Sequence, residues 1–392
     1  MNLPIYDTTA GNKFKEASFT ERDLRVKIES TMPEECVLYK NKLLSMGYTL
    51  VSQNELPSSM IYKPVNNLFY RFTNGTEDIN FFYDAPGHSA YICASDAMPI
   101  YTPKAELGEK KAKPFYAQLN ISKGLCHVAR LCSGEFVIID SGLAERGYDE
   151  IIYNFLCENN VNAKPTVALW LFTHPDPDHI CAADEFMRKY SDAVDISGIA
   201  YQFPDFDYIN ISGKYPKIKE YIRSFEEAIA KNYKDTPVYA LHTGDEYRLL
   251  GATLSVIWTV DNTFSSELTN VNDTSAAFLL NFDGGKRIAI LGDCTDRLSA
   301  SIEELYGENL KSDVLQVTHH GLLGGNTKLY RSIDPDICLW SVEKERFLGD
   351  YPTEKHHWCL GEGGCEYNSY LRDESIKKRT HYTANDDCII YV

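Results

Sequence analysis

No run of about 18 apolar residues occurs in the 392-residue sequence, so no transmembrane helix is expected. The opening stretch, MNLPIYDTTAGNKF, lacks a charged segment followed by an apolar one, so no signal peptide is expected either. Positive charge is also in short supply: 39 Lys and Arg face 56 Asp and Glu, for a net charge of -17 without any block of like charge. Non-specific grip on DNA, RNA or anionic membranes comes from neutralising phosphates with Lys and Arg, so this balance disfavours all three and leaves only a local basic patch as a route. The 11 cysteines are odd in number and lack a framework spacing, and without an export signal they are expected to be reduced and mostly buried in a cytoplasmic protein. Internal repeats and low-complexity tracts are missing too. What is present is core material: 44% apolar residues, with 26 Tyr and 18 Phe, which excludes a disordered chain. The length suits two domains.

The pattern along the chain places their boundary. After about 30 polar, weakly periodic residues, PEECVLYKNKLLSMGYTLVSQNEL reads as a helix with Val37, Leu38, Leu43 and Leu44 at helical spacing. Gly47 is its C-cap, and YTLV begins a strand. Three β-rich runs follow in NLFYRFTNGTEDINFFYDAPGHSAYICAS, with TNGTED and DAPGHS as hairpin turns. Residues 1–112 thus form a small α+β domain, closed by the linker MPIYTPKAELGEKKAKPF. From residue 113 to 392, strands such as FVIID and TVALWLFT alternate with helices such as YDEIIYNFLCENN and CAADEFMRKYSD, to about residue 340. That α/β pattern, over about 280 residues, is consistent with two packed sheets flanked by helices.

Chemistry concentrates at strand ends, where α/β proteins place it. TVALWLFT runs into HPDPDH, which sets His174, Asp176, Asp178 and His179 within six residues. Pro175 and Pro177 push their neighbours into extended backbone, so the first three side chains should splay in a loop, with His179 at the mouth of the next helix. Imidazole with carboxylate suits Zn, Mn or Fe(II) better than Ca. RIAILGDCTD ends an apolar strand in Asp293, and DVLQVTHHGLLGG ends another in His319-His320-Gly321, so three strand ends could converge on one rim. Plainer readings stand beside these: HPDPDH as a polar turn, Asp293 as a helix N-cap, and His319 as a packed neighbour of the ligands.

In this order the motifs resemble those of the metallo-β-lactamase superfamily, whose signature is H-x-H-x-D-H after a strand, then Asp after Gly, then His before Gly. The resemblance runs from about residue 115 to the end, where NISKGLCHVARLCSGEFVIIDSGL is similar to the family's opening hairpin and D-x-G strand. NDTSAAFLLNF, LGD and THHG look most like the branch containing the competence-channel (ComEC-type) hydrolase domain and bacterial phosphorylcholine esterases. The resemblance implies an αββα sandwich holding one or two divalent metal ions, zinc first, with manganese or iron as alternatives. It makes His174 a ligand of the first metal, Asp178 and His179 ligands of the second, and Asp293 the bridge. His320, directly before Gly, is the remaining second-site ligand, and His319 faces the substrate or backs the ligands. Asp178, Asp293 and His319 are the catalytic candidates, with Asn272 and Ser275 on the substrate side. Two departures stand out. Asp176 occupies the position of the second histidine, which makes the first site harder or less occupied. The family's middle histidine is missing, as it is throughout the branch named.

The resemblance further implies a hydrolase in which a metal-bound hydroxide attacks phosphorus or a carbonyl carbon. A phosphodiester or other phosphoester is the expected substrate, either a small molecule or a nucleic acid, with no membrane partner; nothing in the sequence specifies an oligomer. Two rivals remain: a binding or regulatory protein that kept the fold and lost the metal, and a carboxylic ester, lactone or thioester hydrolase. Several look-alikes are set aside. PGH at Pro86–His88 reads as a hairpin turn, His242 as a bland turn residue, and Cys181 and Cys294 as packing residues. His356, His357, Cys359 and Cys365 read as a loop bordering the site.

Overall fold

A computed structural model describes residue 6 and residues 14–20, 23–61, 65–102, 110–204, 217–263, 267–321, 324–344, 379–385 and 388–392. Its first layer is an antiparallel six-stranded sheet. The strands are β1 (Phe14–Thr20), β2 (Asp23–Glu29), β3 (Thr49–Leu56), β4 (Asn67–Thr73), β5 (Glu77–Asp84) and β6 (Ser89–Asp96), in the order β1-β2-β6-β5-β4-β3. The two leading strands lie where the sequence shows little periodicity. Helix α1 (Pro33–Ser45) covers one face. It does so with Cys36, Tyr39 and Leu43, which recur every three to four residues, and not with Val37, Leu38 and Leu44, which lie on the opposite side and are exposed. Of the four apolar positions expected to pack, only Leu43 does. Gly47 follows the helix at φ +93°, a left-handed terminator that glycine adopts without strain.

Strand alternation divides this sheet into two faces. Val26, Ile28, Tyr70, Phe72, Ile79, Phe81, Ala90 and Ile92 meet α1. The intervening Arg25, Arg71, Asp78, Asn80, Phe82 and Cys93 face the other way, and they too are buried, because the rest of the protein packs there.

The remainder is a pair of facing sheets. The second sheet holds β7 (Phe115–Gln118), β8 (Cys126–Arg130), β9 (Phe136–Asp140), β10 (Thr166–Leu171), β11 (Asp195–Ile196), β12 (Ile199–Tyr201), β13 (Val238–Ala240) and the late strand β21 (Cys388–Tyr391). Their order is β13-β12-β10-β9-β8-β7-β21, with β11 also on β10. The third sheet runs from β14 (Glu246–Leu249) through β15 (Ala252–Trp258), β16 (Ala277–Phe282), β17 (Arg287–Ile290), β18 (Val314–Gln316) and β19 (Ile337–Trp340) to β20 (Thr380–Thr383). Helices α2 (Tyr148–Asn159), α3 (Pro177–Tyr190) and α4 (Ile218–Asn232) cover the outside of the second sheet. Helices α5 (Asp296–Tyr306) and α6 (Thr327–Ile333) cover the third, where Leu56 and Phe82 of the first sheet join them. Alternation sends Val137 and Ile139 of β9, and Ile288 and Ile290 of β17, into the inter-sheet core, while Phe136, Ile138 and Ala289 meet the outer layers. The architecture is the expected αββα sandwich, with the antiparallel sheet and α1 before it.

The expected strand–helix alternation breaks from β14 to β17, which form an antiparallel run. Gly251 at φ +83° and Gly284 at φ +66° make the tight turns that let two of these strands double back without a helix. Among the described residues, no helix is long and apolar enough to cross a membrane.

The first sheet docks through a buried polar network. Arg25 Nη1 lies 3.2 Å from Asp261 Oδ1, His242 Nδ1 lies 2.5 Å from Asp261 Oδ2, and Asn80 Nδ2 donates to His242 Nε2 at 3.0 Å. His242 is therefore a buried joint between the sheets and not a bland turn residue. Burial alone would raise the Asp261 carboxyl, but His242 and Arg25 hold it below its ordinary range. Asp261→Ala removes the carboxylate partner of the buried His242 and one of the two carboxylates beside the buried Arg25, which keeps Asp23, so it should destabilise the protein by about 3 kcal/mol. A urea melt read by near-UV circular dichroism measures this, and an unchanged midpoint would show that the network contributes nothing.

Candidate metal centre

Strand β10 delivers the chain into Phe172–Asp176. Asp176 is extended (φ -62°, ψ 145°) and serves as the N-cap of α3, with Pro177 in the first turn. Proline is pre-organised for that place and lacks the N–H that would go unbonded there. The helix therefore begins earlier than expected. Asp178 sits in its first turn with His179, instead of splaying from a loop. The other two contributions come from the carboxyl ends of parallel neighbours: Asp293 beyond β17, and His319 and His320 beyond β18. Asp293 caps no helix, because Thr295 is the N-cap of α5.

These side chains meet. His174, His179 and Asp293 form one group and Asp178, His179 and His320 another, each with its ligand atoms within 4.8 Å of one another. Asp293 Oδ2 is central: 3.4 Å from His179 Nε2, 3.4 Å from His320 Nε2, 3.9 Å from His319 Nε2 and 4.0 Å from His174 Nε2. Asp178 Oδ2 lies 3.4 Å from His320 Nε2, and Asp176 Oδ2 lies 3.7 Å from His174 Nε2.

Second contacts aim the rings. Asp140, at the end of β9, accepts from Thr173 N and Thr173 Oγ1, both at 2.7 Å, and from His179 Nδ1 at 2.8 Å. The Thr173 hydroxyl spends its proton on Asp140 and so accepts from His174 Nδ1, 3.0 Å away. His320 Nδ1 donates to Ser341 O at 3.2 Å. With the Nδ1 protons so engaged, Nε2 of all three rings is turned inward. Nε2 of His174, His179 and His320, together with Oδ1 of Asp176 and Asp293, are buried without a hydrogen-bond partner. Each such atom costs about 1–3 kcal/mol unless something satisfies it, and the three imidazoles with Asp293 and Asp178 fall in the two groups that fit a divalent cation, whereas Asp176 falls in neither.

The carboxylates dominate the electrostatics of the rings, and a cation bound there would have to displace the protons the rings hold. Burial alone lowers both His179 and His320, but Asp293 outweighs it, aided by Asp140 and Asp178 at His179 and by Asp178 at His320. His179 is held well above the usual imidazole range, and His320 rises to about 10. Burial alone would raise Asp178 and Asp293, but the imidazoles keep both far below the usual carboxylate range. His319 goes the other way: burial lowers it, and Asp293 offsets this only in part.

His319 (φ 49°, ψ 45°) and His320 (φ 55°, ψ 17°) are consecutive left-handed residues. That conformation costs a non-glycine residue on the order of 1–3 kcal/mol and persists where surrounding contacts over-determine it. His319 Nε2 accepts from Asn272 Nδ2 at 3.1 Å, so Asn272 reaches the centre. Ser275, the other substrate-side candidate, is fully buried and its hydroxyl has no partner. The sequence marks Asp140 as a strand end and as the Asp of the D-x-G strand, without a role in the centre, and does not single out Thr173 or Ser341. The signal for Asp140 was there, a charged residue closing the all-apolar FVII. Cys181 and Cys294 pack in the outer cores as expected. Pro86–His88 lies in the turn between β5 and β6. His356, His357, Cys359 and Cys365 lie outside the described residues.

The fold and the site define a mixed α/β protein with an αββα core and a histidine–carboxylate centre able to hold a metal ion. No protein-family model matches the chain, and no curated protein matches it significantly. Among solved structures, the chain is similar to metallo-β-lactamase-fold proteins. The short form of human tRNase Z is 12% identical, with 71% of this chain and 99% of that one covered at a TM-score of 0.36. A HARLDQ-motif mutant of a metallo-β-lactamase from Cronobacter sakazakii is 13% identical (52% and 75% covered, TM-score 0.30). A β-lactamase domain protein from Burkholderia ambifaria is 16% identical (49% and 57% covered, TM-score 0.28). Likeness at this level concerns the fold alone.

Proposed function

We propose that the protein is a metal-dependent hydrolase of the metallo-β-lactamase superfamily, acting on a phosphodiester or other phosphoester. Residues 113–392 are its hydrolase domain, and residues 1–112 a small α+β N-terminal domain docked on it. One observation carries the reading: buried, unpartnered Nε2 atoms of His174, His179 and His320 gather around Asp293 from three strand ends, with Asp176 beside His174. His174, Asp176 and Asp293 would hold a first metal, and Asp178, His179 and His320 a second, with Asp293 between the two sets. A divalent cation there would supply Lewis-acid polarisation of a phosphoryl or carbonyl oxygen and acidify water towards a pKa of about 7.

The chain's own groups do the rest. Asp140 and Thr173 fix the tautomers of His179 and His174. Asn272 can only donate through Nδ2, so the neutral His319 carries its proton on Nδ1 and turns Nε2 towards Asn272 and Asp293. The motifs LGD and THHG support the phosphoester class. The net charge of -17 favours a small phosphoester over a nucleic acid.

Purified protein loaded with zinc, manganese or iron(II) tests this. We expect one to two metal ions per chain, and faster hydrolysis of bis-p-nitrophenyl phosphate than of p-nitrophenyl acetate or a lactone. Fewer than about 0.2 ions per chain after loading would overturn the enzyme reading in favour of a metal-free binding protein. Preference for the carboxylic esters would move the substrate to carbonyl chemistry.

A further inference from the structure

We infer that Gln316 is a positioning residue for the metal centre: it ties the turn carrying Asp293 to the turn carrying His319 and His320. This rests on the metal-binding reading above. Gln316 ends β18, whose other residues are apolar, and it is fully buried. An amide enclosed among apolar groups is tolerated only when its hydrogen bonds are made, and those of Gln316 are. Its Oε1 accepts from Leu291 N at 2.8 Å, and its Nε2 donates to Gly292 O at 3.1 Å and to Val317 O at 2.8 Å.

The position matters. The backbone ladder between β17 and β18 pairs Ile288 with Val314 and Ala289 with Leu315, and there it ends. Beyond that point the Gln316 side chain takes over the pairing, as the two chains part to form the site. Gly292 O, one residue before Asp293, accepts from both Gln316 Nε2 and His319 N, the latter at 3.1 Å. On its other side Gly292 (φ +52°) presses on Thr173, which a Cβ would meet at 2.9 Å. The Asp293 turn is thus held between Thr173, which orients His174, and Gln316, which precedes the histidine pair. The left-handed His319 and His320 need such an anchor.

The test compares wild type with Gln316→Met, which keeps the volume and loses all three bonds. It also uses Gln316→Glu, which keeps the acceptor for Leu291 N and loses both donors. Val314→Ala, on the same strand but in the inter-sheet core, is the control for stability loss alone. Cobalt(II) affinity, the visible cobalt bands and the melting temperature are measured on each. We expect both Gln316 variants to bind cobalt about 10–100-fold more weakly, with altered bands. The control should melt earlier with unchanged affinity and bands. Unchanged affinity and bands in Gln316→Glu, or in a folded Gln316→Met, would overturn the assignment alone. A wild type that binds no cobalt would overturn the metal centre, and this role with it.

Discussion

Asp293→Ala is expected to remove metal binding and to lower the metal-dependent kcat/KM on the order of 10⁴-fold, because residues that act as a unit fail together. Its Oδ2 lies within 4.0 Å of Nε2 on each of His174, His179, His319 and His320. Without that carboxylate, four imidazoles crowd one buried point and the anionic charge that attracts a cation falls by one. Asp293→Asn keeps the shape and removes only the charge, so it should fail nearly as badly. Two measurements check this apart from turnover. Metal content after loading should collapse in both variants. Metal at about 100 times the dissociation constant should stabilise the wild type by about 2.7 kcal/mol and leave Asp293→Ala unmoved. A variant that retains a full complement of metal and its activity would refute the bridging role.

Asp176→His should shift the preference for zinc over manganese upward on the order of a hundredfold, because imidazole favours zinc and carboxylate favours manganese. The orientation of Asp176 motivates the choice. An aspartate at a helix N-cap ordinarily accepts from an N–H of the first turn, worth about 1 kcal/mol. Asp176 makes no such side-chain bond: Oδ1 is buried and unpartnered, and Oδ2 lies 3.7 Å from His174 Nε2. Its carboxylate is turned to the centre at the expense of the helix. Loading from an equimolar mixture of zinc and manganese, followed by metal analysis, reads the shift. An unaltered ratio would mean that Asp176 holds no metal.

The site residues were legible because their spacing along the chain is itself the chemistry. His174, Asp176, Asp178 and His179 are dense enough to be seen, and Gly292-Asp293 and His320-Gly321 each end an apolar strand. The supporting groups were harder to see. Asp140 and Gln316 lie 34 residues before and 142 residues after His174 in number, and what marks them is a polar side chain at the end of an apolar strand. The helix α1 was misread in its packing because Val37, Leu38 and Leu44 are as apolar as the residues that pack, so composition could not say which stripe meets Phe81.

The sequence by itself determined the kinds of element, the αββα class and the candidate site residues, because period-two and helical apolar patterns and strand-end residues are local properties. Only the tertiary structure decided which atoms share a site. It put Asp178 on a helix, since Pro177 starts that helix. It made His242 a joint between sheets, since the second face of the first sheet is covered. And it brought Asp293 Oδ2 between the histidines, since that depends on where two parallel strands end relative to β10 across the sandwich, which no local pattern encodes.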